Sequence, residues 1–575
     1  MFWLDMLQLA VFIAVLTLTV KPVGTYMAHV FQGERTFADP ALKPIERLIY
    51  RVTGVDPNQE MRWTTYAFAF LAFNFVSFAA LYLTLRLQGF LPFNPLHIGA
   101  ASPDLAFNVA ASMITHTNWQ SYAGEAAVSN FSQMAGIMVQ QFMAGANSLA
   151  VVLVLIRGLS RKETHDVGNY WVDLTRSWLF IALPVAIVGS LFLISQGTVQ
   201  TLVTAVSVKT VEGAQQVLRM GPVATQEWVH MNMTQGGGFF NVNAAHPFEN
   251  PTPLTNFIEM LGVLLFPAAC TYMFGRMVRN QRQGWAIFMA MMILFLASFG
   301  VVYGLERAGN PLVAKAGVNV TASATQPGGN MEGKEVRNGV LGTTLYNQNS
   351  TTTSYGGTNG SIDSYMPLAG GMTMFNMSTG CVIWGGIGQG LFSMLLNVLL
   401  TVFIAGLMVG RTPEYLGKKI GAKEMKITMI AILTMNAGTL FFTSLAVSLP
   451  AGLAGRLNMG PHGLSEIMYA FVQALANNGS AMAGLSANTV FYNSTIGVAM
   501  LIGRYLFVIP VFAIAGSLVV KKTVPESAGT FPTDGPLFVV LLIAVVVIIA
   551  GLSFLPAFSL GPILEHYLML AGRLF

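Results

Sequence analysis

Long apolar runs recur along the chain and are separated by more polar segments. A run of about twenty apolar residues is long enough for a helix to cross the hydrocarbon core of a bilayer. Ten such runs are predicted to form membrane-spanning helices, at 4–22, 65–87, 128–156, 177–195, 254–275, 284–304, 377–410, 425–449, 495–519 and 536–558. This pattern predicts an all-α polytopic membrane protein.

Four polar stretches interrupt the apolar pattern at nearly regular intervals. They contain Thr117-Asn118-Trp119, Thr234-Gln235-Gly236, Ser354-Tyr355-Gly356 and Asn477-Asn478-Gly479. The first residues of these triplets are 117, 120 and 123 positions apart. Spacing this regular indicates a fourfold internal repeat. Each repeat is predicted to consist of a helix, a re-entrant pore loop and a second helix, and one extra spanning helix lies at each end of the chain.

The predicted repeats divide the chain into six parts. These are a leading helix and loop over 1–63, repeat 1 over 64–157, repeat 2 over 158–280, repeat 3 over 281–411, repeat 4 over 412–520, and a closing helix over 521–575. The polar stretches are called here polar loop 1 (115–125), polar loop 2 (234–241), polar loop 3 (353–361) and polar loop 4 (476–484).

Short helix-like segments precede the polar loops. Ser102-Pro103-Asp104 offers an N-cap, a proline suited to the first turn and an acid near the positive end of the helix dipole. Gly221-Pro222 opens the second segment, and Gly463-Leu464-Ser465-Glu466 is predicted to open the fourth. About 12–15 residues of helix span on the order of 20 Å, which reaches roughly halfway into a membrane. The negative ends of these helices would then favour a cation on a shared axis.

Irregular backbone at membrane depth is tolerated only where it is buried in protein or lines a water-filled cavity. Four such loops on one axis can surround an ion with carbonyl oxygens, because glycine lets the chain turn those oxygens inward. The alternative is that they are ordinary extracellular loops with turn-forming glycines. Single loops of that kind are common, whereas four at one period favour a pore or an ion vestibule.

Composition and charge refine this picture. Hydrophobic residues make up 54% of the chain and charged residues 10%, far from the balance of a soluble domain. Twenty of the 30 Lys and Arg residues fall in alternate loops. Because positive charge marks the cytoplasmic side, both termini and the polar loops are expected to face outward. The formal charge of +5 reflects this orientation and attraction to the lipid surface, with no nucleic-acid partner expected.

Several motifs together resemble one family. They are Thr115-His116-Thr117-Asn118-Trp119-Gln120, Gly236-Gly237-Gly238-Phe239-Phe240-Asn241, His246-Pro247-Phe248-Glu249-Asn250-Pro251, Gly410-Arg411-Thr412-Pro413-Glu414 and Asn477-Asn478-Gly479-Ser480-Ala481. The chain resembles the potassium-binding subunit of the bacterial Kdp ATPase, KdpA, in the superfamily of potassium transporters. The resemblance spans nearly the whole sequence and implies a potassium channel-like fold.

The resemblance also implies a function. In that family the four-repeat subunit binds extracellular K+ in a selectivity filter and passes it through an intramembrane tunnel to a P-type ATPase subunit (KdpB type). Small subunits of the KdpC and KdpF types complete the complex in the bacterial inner membrane. By matching residues, the filter would use Thr115, His116, Thr117, Asn118, Gln120, Thr234, Gln235, Gly236, Ser354, Tyr355, Gly356, Asn477, Asn478 and Gly479. The side chain of Gln120 is expected to contribute to affinity.

Two further features are predicted to lie below the filter. Arg504 falls inside the ninth span, where a charge is costly and therefore a functional candidate, the alternative being a structural ion pair. The glycines of 385–390, with Gly385, Gly386 and Gly388, interrupt a stretch too long for one straight span, so this helix is predicted to break. In the family a broken helix here forms a gate. Close packing of small residues is the alternative.

Some positions depart from the family pattern. The segment 346–353 is unusually polar for the third pore helix, Ile362 stands where many members carry His, and Cys381 stands where Glu is common. Cys270 and Cys381 both fall in apolar runs and are interpreted as small core residues. These changes bear on ion affinity and on the tunnel rather than on the fold.

Motifs for catalysis are weak in this sequence. Gly410 to Lys419 superficially resembles a phosphate-binding loop, but its spacing is wrong and Lys419 stands where Ser or Thr is needed. His246 and Glu249 lack a second His for a metal site, and no Asp-Lys-Thr-Gly sequence occurs. A non-catalytic subunit is therefore expected, with K+ as the transported ion. The alternatives are a stand-alone K+ channel or ion-coupled transporter of the same superfamily, a membrane-embedded enzyme, and a structural scaffold.

Overall fold

The computed structural model describes residues 2–323, 325–525 and 530–573. Its helices are α1 Phe2–Gln32, α2 Asp39–Thr53, α3 Trp63–Leu87, α4 Pro103–Ile114, α5 Gly124–Ala127, α6 Val139–Ser160, α7 Tyr170–Arg176, α8 Leu183–Ser195, α9 Val223–Asn232, α10 Pro253–Met277, α11 Gln281–Ala308, α12 Pro311–Lys315, α13 Gly339–Thr352, α14 Pro367–Ser378, α15 Gln389–Met408, α16 Ala422–Ser448, α17 Pro450–Leu453, α18 Gly460–Ala476, α19 Val490–Val519, α20 Pro536–Phe558 and α21 Leu564–Leu570. π-helical turns at Ser132–Met138, Ser177–Ala182 and Ser559–Ile563 join onto α6, α8 and α20.

Within the described residues, ten helices are long and apolar enough to cross a membrane, which confirms the predicted number of spans. The first is longer than expected, because α1 continues through Pro22 to Gln32. The seventh prediction, 377–410, is only partly correct. The spanning helix α15 begins at Gln389, a separate helix, α14, ends at Ser378, and non-helical residues connect the two.

The break between α14 and α15 was predicted from the glycines and is confirmed. Residues 379–388 are not helical, and Gly380, Gly385 and Gly388 have φ of 85°, 58° and 78°. Only glycine adopts this left-handed region without strain, so these positions let the chain leave one helix and enter the next. The connecting residues 379–388 are called here the interhelix loop.

Four short helices end directly before the polar loops. They are α4, α9, α13 and α18, and nearly all of their residues are buried. The Ser102 side chain caps α4 by accepting from the amide of Leu105, as predicted. The start predicted for α18 at Gly463 is wrong by three residues, because the pair Gly460-Pro461 already supplies the turn and the first helical position.

Three small antiparallel ribbons were not predicted. They are β1 Met61–Arg62 with β2 Asp166–Gly168, the hairpin β3 Ala205–Lys209 with β4 Gln215–Arg219, and β5 Glu414–Tyr415 with β6 Lys418–Lys419. All three lie outside the spanning helices. The fold is thus helical within the membrane-crossing part, as expected, and has short strands in the connections.

Candidate cation site where four polar loops meet

The four polar loops converge in the interior of the molecule. Each one follows the carboxyl end of a short buried helix, so four helix ends point toward the same region. Except for the partly exposed Gln120, every non-glycine residue expected at the site is almost completely buried. Residues separated by more than a hundred positions therefore share one enclosed space.

Polar loop 1 contacts loops 2 and 4 directly. The amide of Gly236 donates to the carbonyl of Thr117 at 3.2 Å. The side-chain amide of Asn477 donates to Thr117 Oγ1 at 3.0 Å. A Cβ atom built on Gly236 would lie 2.6 Å from Thr117 O and 2.9 Å from the Cα atom of Gly479, so loops 1, 2 and 4 pack backbone against backbone. Only glycine allows this approach.

Polar loop 3 is attached to loop 4 through Asn478. Its side-chain amide donates to the carbonyl of Ser350 at 2.8 Å and also to that of Thr353. A Cβ atom on Gly356 would lie 2.4 Å from Asn478 O, another contact that excludes any side chain. The loops are therefore held together by main-chain contacts and asparagine amides.

Left-handed backbone occurs in each of the four polar loops. His116 has φ of 69°, Thr234 of 53°, Gly356 of 70° and Asn477 of 52°. A left-handed residue reverses the direction in which neighbouring carbonyls point. Non-glycine residues seldom adopt this conformation, and its recurrence where the loops meet is typical of a functional site.

The side chains of polar loop 1 divide between two directions. Thr115 Oγ1 lies 2.8 Å from Thr117 Oγ1, so these hydroxyls are paired within the loop. The His116 ring points away and donates through Nε2 to the carbonyl of Met233 at 2.8 Å. The Asn118 amide is buried and has no hydrogen-bond partner within the described chain.

Gln120 joins polar loops 1 and 2. Its Nε2 atom donates to the carbonyl of Gly238 at 3.1 Å, and its Oε1 atom accepts from the amide of Gly238 at 3.2 Å. This double contact resembles a β-bridge and holds Gln120 over the mouth of the loops. Its role in positioning the loop could not be read from the sequence, because Gly238 lies 118 residues away.

Gln235 and Tyr355 direct their side chains behind the loops. Gln235 Nε2 donates to the carbonyl of Gln141 in α6 at 2.5 Å. The Tyr355 hydroxyl lies 2.7 Å from that of Tyr346 in α13. These side chains brace the loops, and only the backbone of residues 235 and 355 is left to face the shared space.

The interhelix loop lies against one end of the polar loops. The amide of Ile387 donates to Thr234 Oγ1 at 2.7 Å. A Cβ atom on Gly386 would lie 2.6 Å from the His116 ring and 3.0 Å from Ser354 Cβ. The interhelix loop thus contacts polar loops 1, 2 and 3 at their first residues. Gly385, Gly386 and Gly388 lie in this interhelix loop, and their function as a gate stays a prediction.

Arg504 lies at the same end of the polar loops. It is 2% exposed, and its guanidinium donates to Gln389 Oε1 at 3.0 Å and to Ser148 Oγ at 2.6 Å. Within the described residues no carboxylate lies within ion-pair distance of it, so the structural ion pair considered above is not formed. Gln389 in turn donates to the carbonyl of Ala476, the last residue of α18. An unneutralised cation therefore sits below the loops.

A cavity of about 420 Å³ opens at the opposite end. It is lined by residues of polar loops 1, 2 and 4, by residues that follow loop 4 such as Asn488, and by residues of α18 such as Glu466. Because the interhelix loop contacts the first residues of the loops, the cavity and the interhelix loop lie at opposite ends of the site.

Two small cavities of about 20 Å³ each continue sideways from below the loops. The first is lined by Asn477 and Arg504, and the second reaches Asn397 and Asn436. Ser393 lines both. Each is large enough for about one water molecule. They lie between α15, α16 and α19, the second one reaches α20, and both have mainly apolar linings with a few polar side chains.

The unusual third repeat is accommodated by matched partners. Asn347 Nδ2 donates to the Tyr365 hydroxyl at 2.9 Å, and Asn349 Nδ2 donates to the carbonyl of Met260 at 3.2 Å. The Cys381 thiol is buried within reach of Ser354 and Asn478, directly beside the polar loops. Ile362 is buried in the apolar cluster around α18. The side-chain amides of Asn347 and Asn349 in the polar helix α13 therefore have hydrogen-bond partners outside that helix.

Beyond the polar loops, His462 at the start of α18 carries a second polar cluster. Its ring nitrogens lie 2.9 Å from Asp363 and 2.8 Å from Glu565. Burial by itself would lower the pKa of His462, but the hydrogen bonds to Asp363 and Glu565 outweigh it and raise the pKa to about 10. His462 and the two carboxylates thus form an ion-pair network that ties α18 to α21.

The residues considered above for a phosphate-binding loop or a metal site make contacts that stabilise the fold. Lys418, in the Gly410 to Lys419 segment, is buried and donates to carbonyls at the ends of α6 and α19. The His246 ring stacks on Phe240 with centroids 3.8 Å apart. Glu249 accepts from the amide of Phe240 at 2.7 Å. His246 and Glu249 thus support the connection around polar loop 2, whereas Lys418 ties its segment to α6 and α19.

Some residues at the site were missed by sequence reasoning. They are Ser148 and Gln389, which hold Arg504, and Glu227 and His230, which lie behind polar loop 2. Glu227 and His230 could have been found as charged or titratable residues inside a short helix predicted to be buried. Nothing in the sequence distinguishes Ser148 from other small residues of a spanning helix.

The fold and the meeting of the polar loops define a polytopic membrane protein of the pore-loop transporter class. The potassium transporter TrkH from Vibrio parahaemolyticus has a similar fold, with a TM-score of 0.50, 13% sequence identity, and coverage of 86% of this chain and 96% of that one. At this identity the likeness concerns the fold alone.

The chain belongs to the KdpA family, described as potassium-transporting ATPase A subunit, whose match covers residues 10–567. It is 51% identical over 569 residues to the potassium-transporting ATPase potassium-binding subunit of Rhizobium rhizogenes, covering 99% of both chains. It is 52% identical to the protein of the same description from Methylorubrum extorquens, covering 99% of this chain and 98% of that one. The family resemblance of the motifs is thereby confirmed.

Proposed function

We propose that this chain binds K+ and translocates it as a subunit of a high-affinity, ATP-driven import complex. The observation that carries the proposal is the convergence of four polar loops on one enclosed space, with direct contacts from loop 1 to loops 2 and 4 and from loop 3 to loop 4. In this proposal the loops form the selectivity filter, and each of the four repeats bounded above contributes one loop.

The chemistry of the loops favours a bare monovalent cation. Backbone carbonyls replace the hydration shell, while the carboxyl ends of α4, α9, α13 and α18 add negative partial charge. The described loop residues from 115 to 120 include no carboxylate, and neither do polar loops 2, 3 and 4. A site of dipoles without formal charge binds an ion loosely enough for it to leave, as transport requires.

We infer that K+ does not continue straight through the molecule below the filter. Arg504 presents an unneutralised charge there, and the interhelix loop contacts the filter from the same end. The two small cavities beside Ser393 lead sideways instead. They are the proposed start of an intramembrane tunnel toward a P-type ATPase subunit of the KdpB type.

ATP hydrolysis is assigned in this proposal to that partner, with small subunits of the KdpC and KdpF types completing the complex. The relatives are described as subunits of a potassium-transporting ATPase, which implies an assembly of several chains. We place the complex in the bacterial inner membrane. The filter mouth and both termini face outward, as the distribution of basic residues indicates.

The test is K+-dependent ATP hydrolysis by the copurified complex. We expect K+ but not Na+ to stimulate hydrolysis. We expect Gln120→Ala to raise the K+ concentration needed, because it removes the side-chain contact between polar loop 1 and Gly238 of polar loop 2. Gln196→Ala, at a partly exposed glutamine whose side chain bonds to the neighbouring Ser195, is the matched control. K+ uptake by the chain without any ATPase partner would instead support a stand-alone channel or ion-coupled transporter.

A further inference from the structure

A buried hydrogen-bond network lies behind polar loops 2 and 3. It contains Glu227 and His230 of α9, Glu259 of α10, Tyr346 of α13 and Tyr355 of polar loop 3, all completely or almost completely buried. The proposed function uses none of these side chains except Tyr355. The network fills the side of the filter where the direct loop-to-loop contacts described above are absent.

His230 holds polar loop 2. Its Nδ1 atom lies 3.0 Å from the carbonyl oxygen of Gln235, and since a carbonyl only accepts, Nδ1 must carry the proton. The amide of Gln235 also donates to the carbonyl of His230 at 2.7 Å. The peptide groups on both sides of Gln235 are therefore tied to one residue of the preceding helix.

His230 also supports polar loop 3. Its ring stacks on the Tyr355 ring with centroids 5.4 Å apart and an interplanar angle of 11°. The Tyr355 hydroxyl is 2.7 Å from that of Tyr346, which itself donates to Glu259 Oε2 at 3.2 Å. One face of His230 thus sets how closely Tyr355 approaches loop 2, and α10 and α13 hold Tyr355 from behind.

Glu227 fixes the orientation of this ring. Its Oε2 atom lies 2.8 Å from His230 Nε2, and its Oε1 atom lies 3.5 Å from the Tyr355 hydroxyl. With Nδ1 bound to Gln235 and Nε2 bound to Glu227, the imidazole is held at both nitrogens and cannot rotate. In the described residues, no Lys or Arg forms an ion pair with Glu227.

We propose that Glu227 and His230 are positioning residues that determine which cation the filter accepts, by setting the separation of polar loops 2 and 3. This inference rests on the proposed function. Loops 1, 2 and 4 are joined by backbone contacts that side-chain changes leave intact, whereas loops 2 and 3 meet at filter depth through His230. A small displacement between polar loops 2 and 3 therefore changes the size of the space that the four loops enclose for the ion.

The test compares apparent KM values of the purified complex for K+, Rb+ and Na+, together with kcat. His230→Phe keeps the ring against Tyr355 but removes the bond to Gln235. We expect this substitution to lower the selectivity ratio, defined as the KM for Na+ divided by the KM for K+, at least tenfold. The change in kcat should be smaller than the change in this ratio. Glu227→Gln keeps a hydrogen-bonding partner for His230 Nε2, so we expect it to lower the ratio of the KM for Na+ to the KM for K+ only about threefold. The control is Glu424→Gln, a buried glutamate remote from the loops, for which the ratio should equal that of the wild type.

The outcomes distinguish a failure of the proposed function from a failure of the positioning role of Glu227 and His230. If the wild-type complex shows no K+ stimulation, the proposed function fails. If the wild type discriminates and folded His230→Phe discriminates equally, the positioning role is wrong. If His230→Phe does not assemble, Glu227→Gln and Tyr355→Phe decide, because both keep the size and shape of the side chain. If the ratio of KM values for Na+ and K+ is unchanged in both Glu227→Gln and Tyr355→Phe, the inference is overturned. It is also overturned if the Glu424→Gln control lowers this ratio as much as these variants do.

Discussion

The closest backbone contact between polar loops predicts a graded series of glycine substitutions. A Cβ atom on Gly479 would lie 1.9 Å from Thr117 O, and one on Gly236 would lie 2.6 Å from the same oxygen. An ordinary contact begins near 3.4 Å, so alanine requires a displacement of about 1.5 Å at Gly479 and about 0.8 Å at Gly236. At Gly479, φ of 94° adds strain on the order of 1–2 kcal/mol for any residue with a Cβ atom.

These displacements fall on the carbonyl of Thr117, a proposed K+ ligand. We expect Gly236→Ala to weaken K+ binding about tenfold and Gly479→Ala about a hundredfold, which correspond to about 1.4 and 2.8 kcal/mol. The assay is an equilibrium K+ binding isotherm on the detergent-purified complex. Gly300→Ala is the matched control, since a Cβ atom there meets nothing within 4 Å. Wild-type affinity in a folded Gly479→Ala protein would refute the view that these loops form the site.

Three further predictions concern other parts of the molecule. Ser393→Leu should preserve K+ binding but reduce transport at least tenfold, because it fills both lateral cavities, whereas Thr434→Leu on the exposed side of α16 should not. Lys334→Met should lower the free energy of unfolding by about 3–5 kcal/mol, because it leaves Glu306 buried without its partner 2.7 Å away. The double variant, with Met at both Lys334 and Glu306, should recover part of this loss. Chemical denaturation measures both effects. His462→Gln should lower the melting temperature at pH 7. The pKa of His462 is raised from 6.5 to about 10, so the stabilisation by its protonated ring is complete below pH 6.5 and is lost as the pH rises through 10. The difference in melting temperature between His462→Gln and the wild type should therefore vanish near pH 10.5.

Much of the architecture was predictable because its causes are local. Apolar length marks the spans, glycine and proline mark helix ends, and the Ser102-Pro103 pair marks the start of α4. The break before α15 followed from its glycines in the same way. Where prediction was off, as at the start of α18, a second turn signal stood three residues earlier and local patterns could not rank the two.

The role of individual side chains was less predictable. The side chain of Gln120 was expected to contribute to K+ affinity, which stays a prediction, but its pairing with both backbone groups of Gly238 could not be read from the sequence. Arg504 was expected near the filter, but its partners Gln389 and Ser148 are neutral and carry no sequence signal. The hydrogen-bonding capacity of a side chain is known from its type, whereas its partner depends on which helices pack together.

By itself, the sequence determined the ten spans, the four polar loops, the broken helix and the family. Each of these depends on composition or on patterns within a few tens of residues. Only the tertiary structure decided that Asn477 reaches Thr117, 360 positions away, and that His230 stands between polar loops 2 and 3. Contacts of this kind arise from how separate helices pack, and helix packing sums many weak interactions that no single segment encodes.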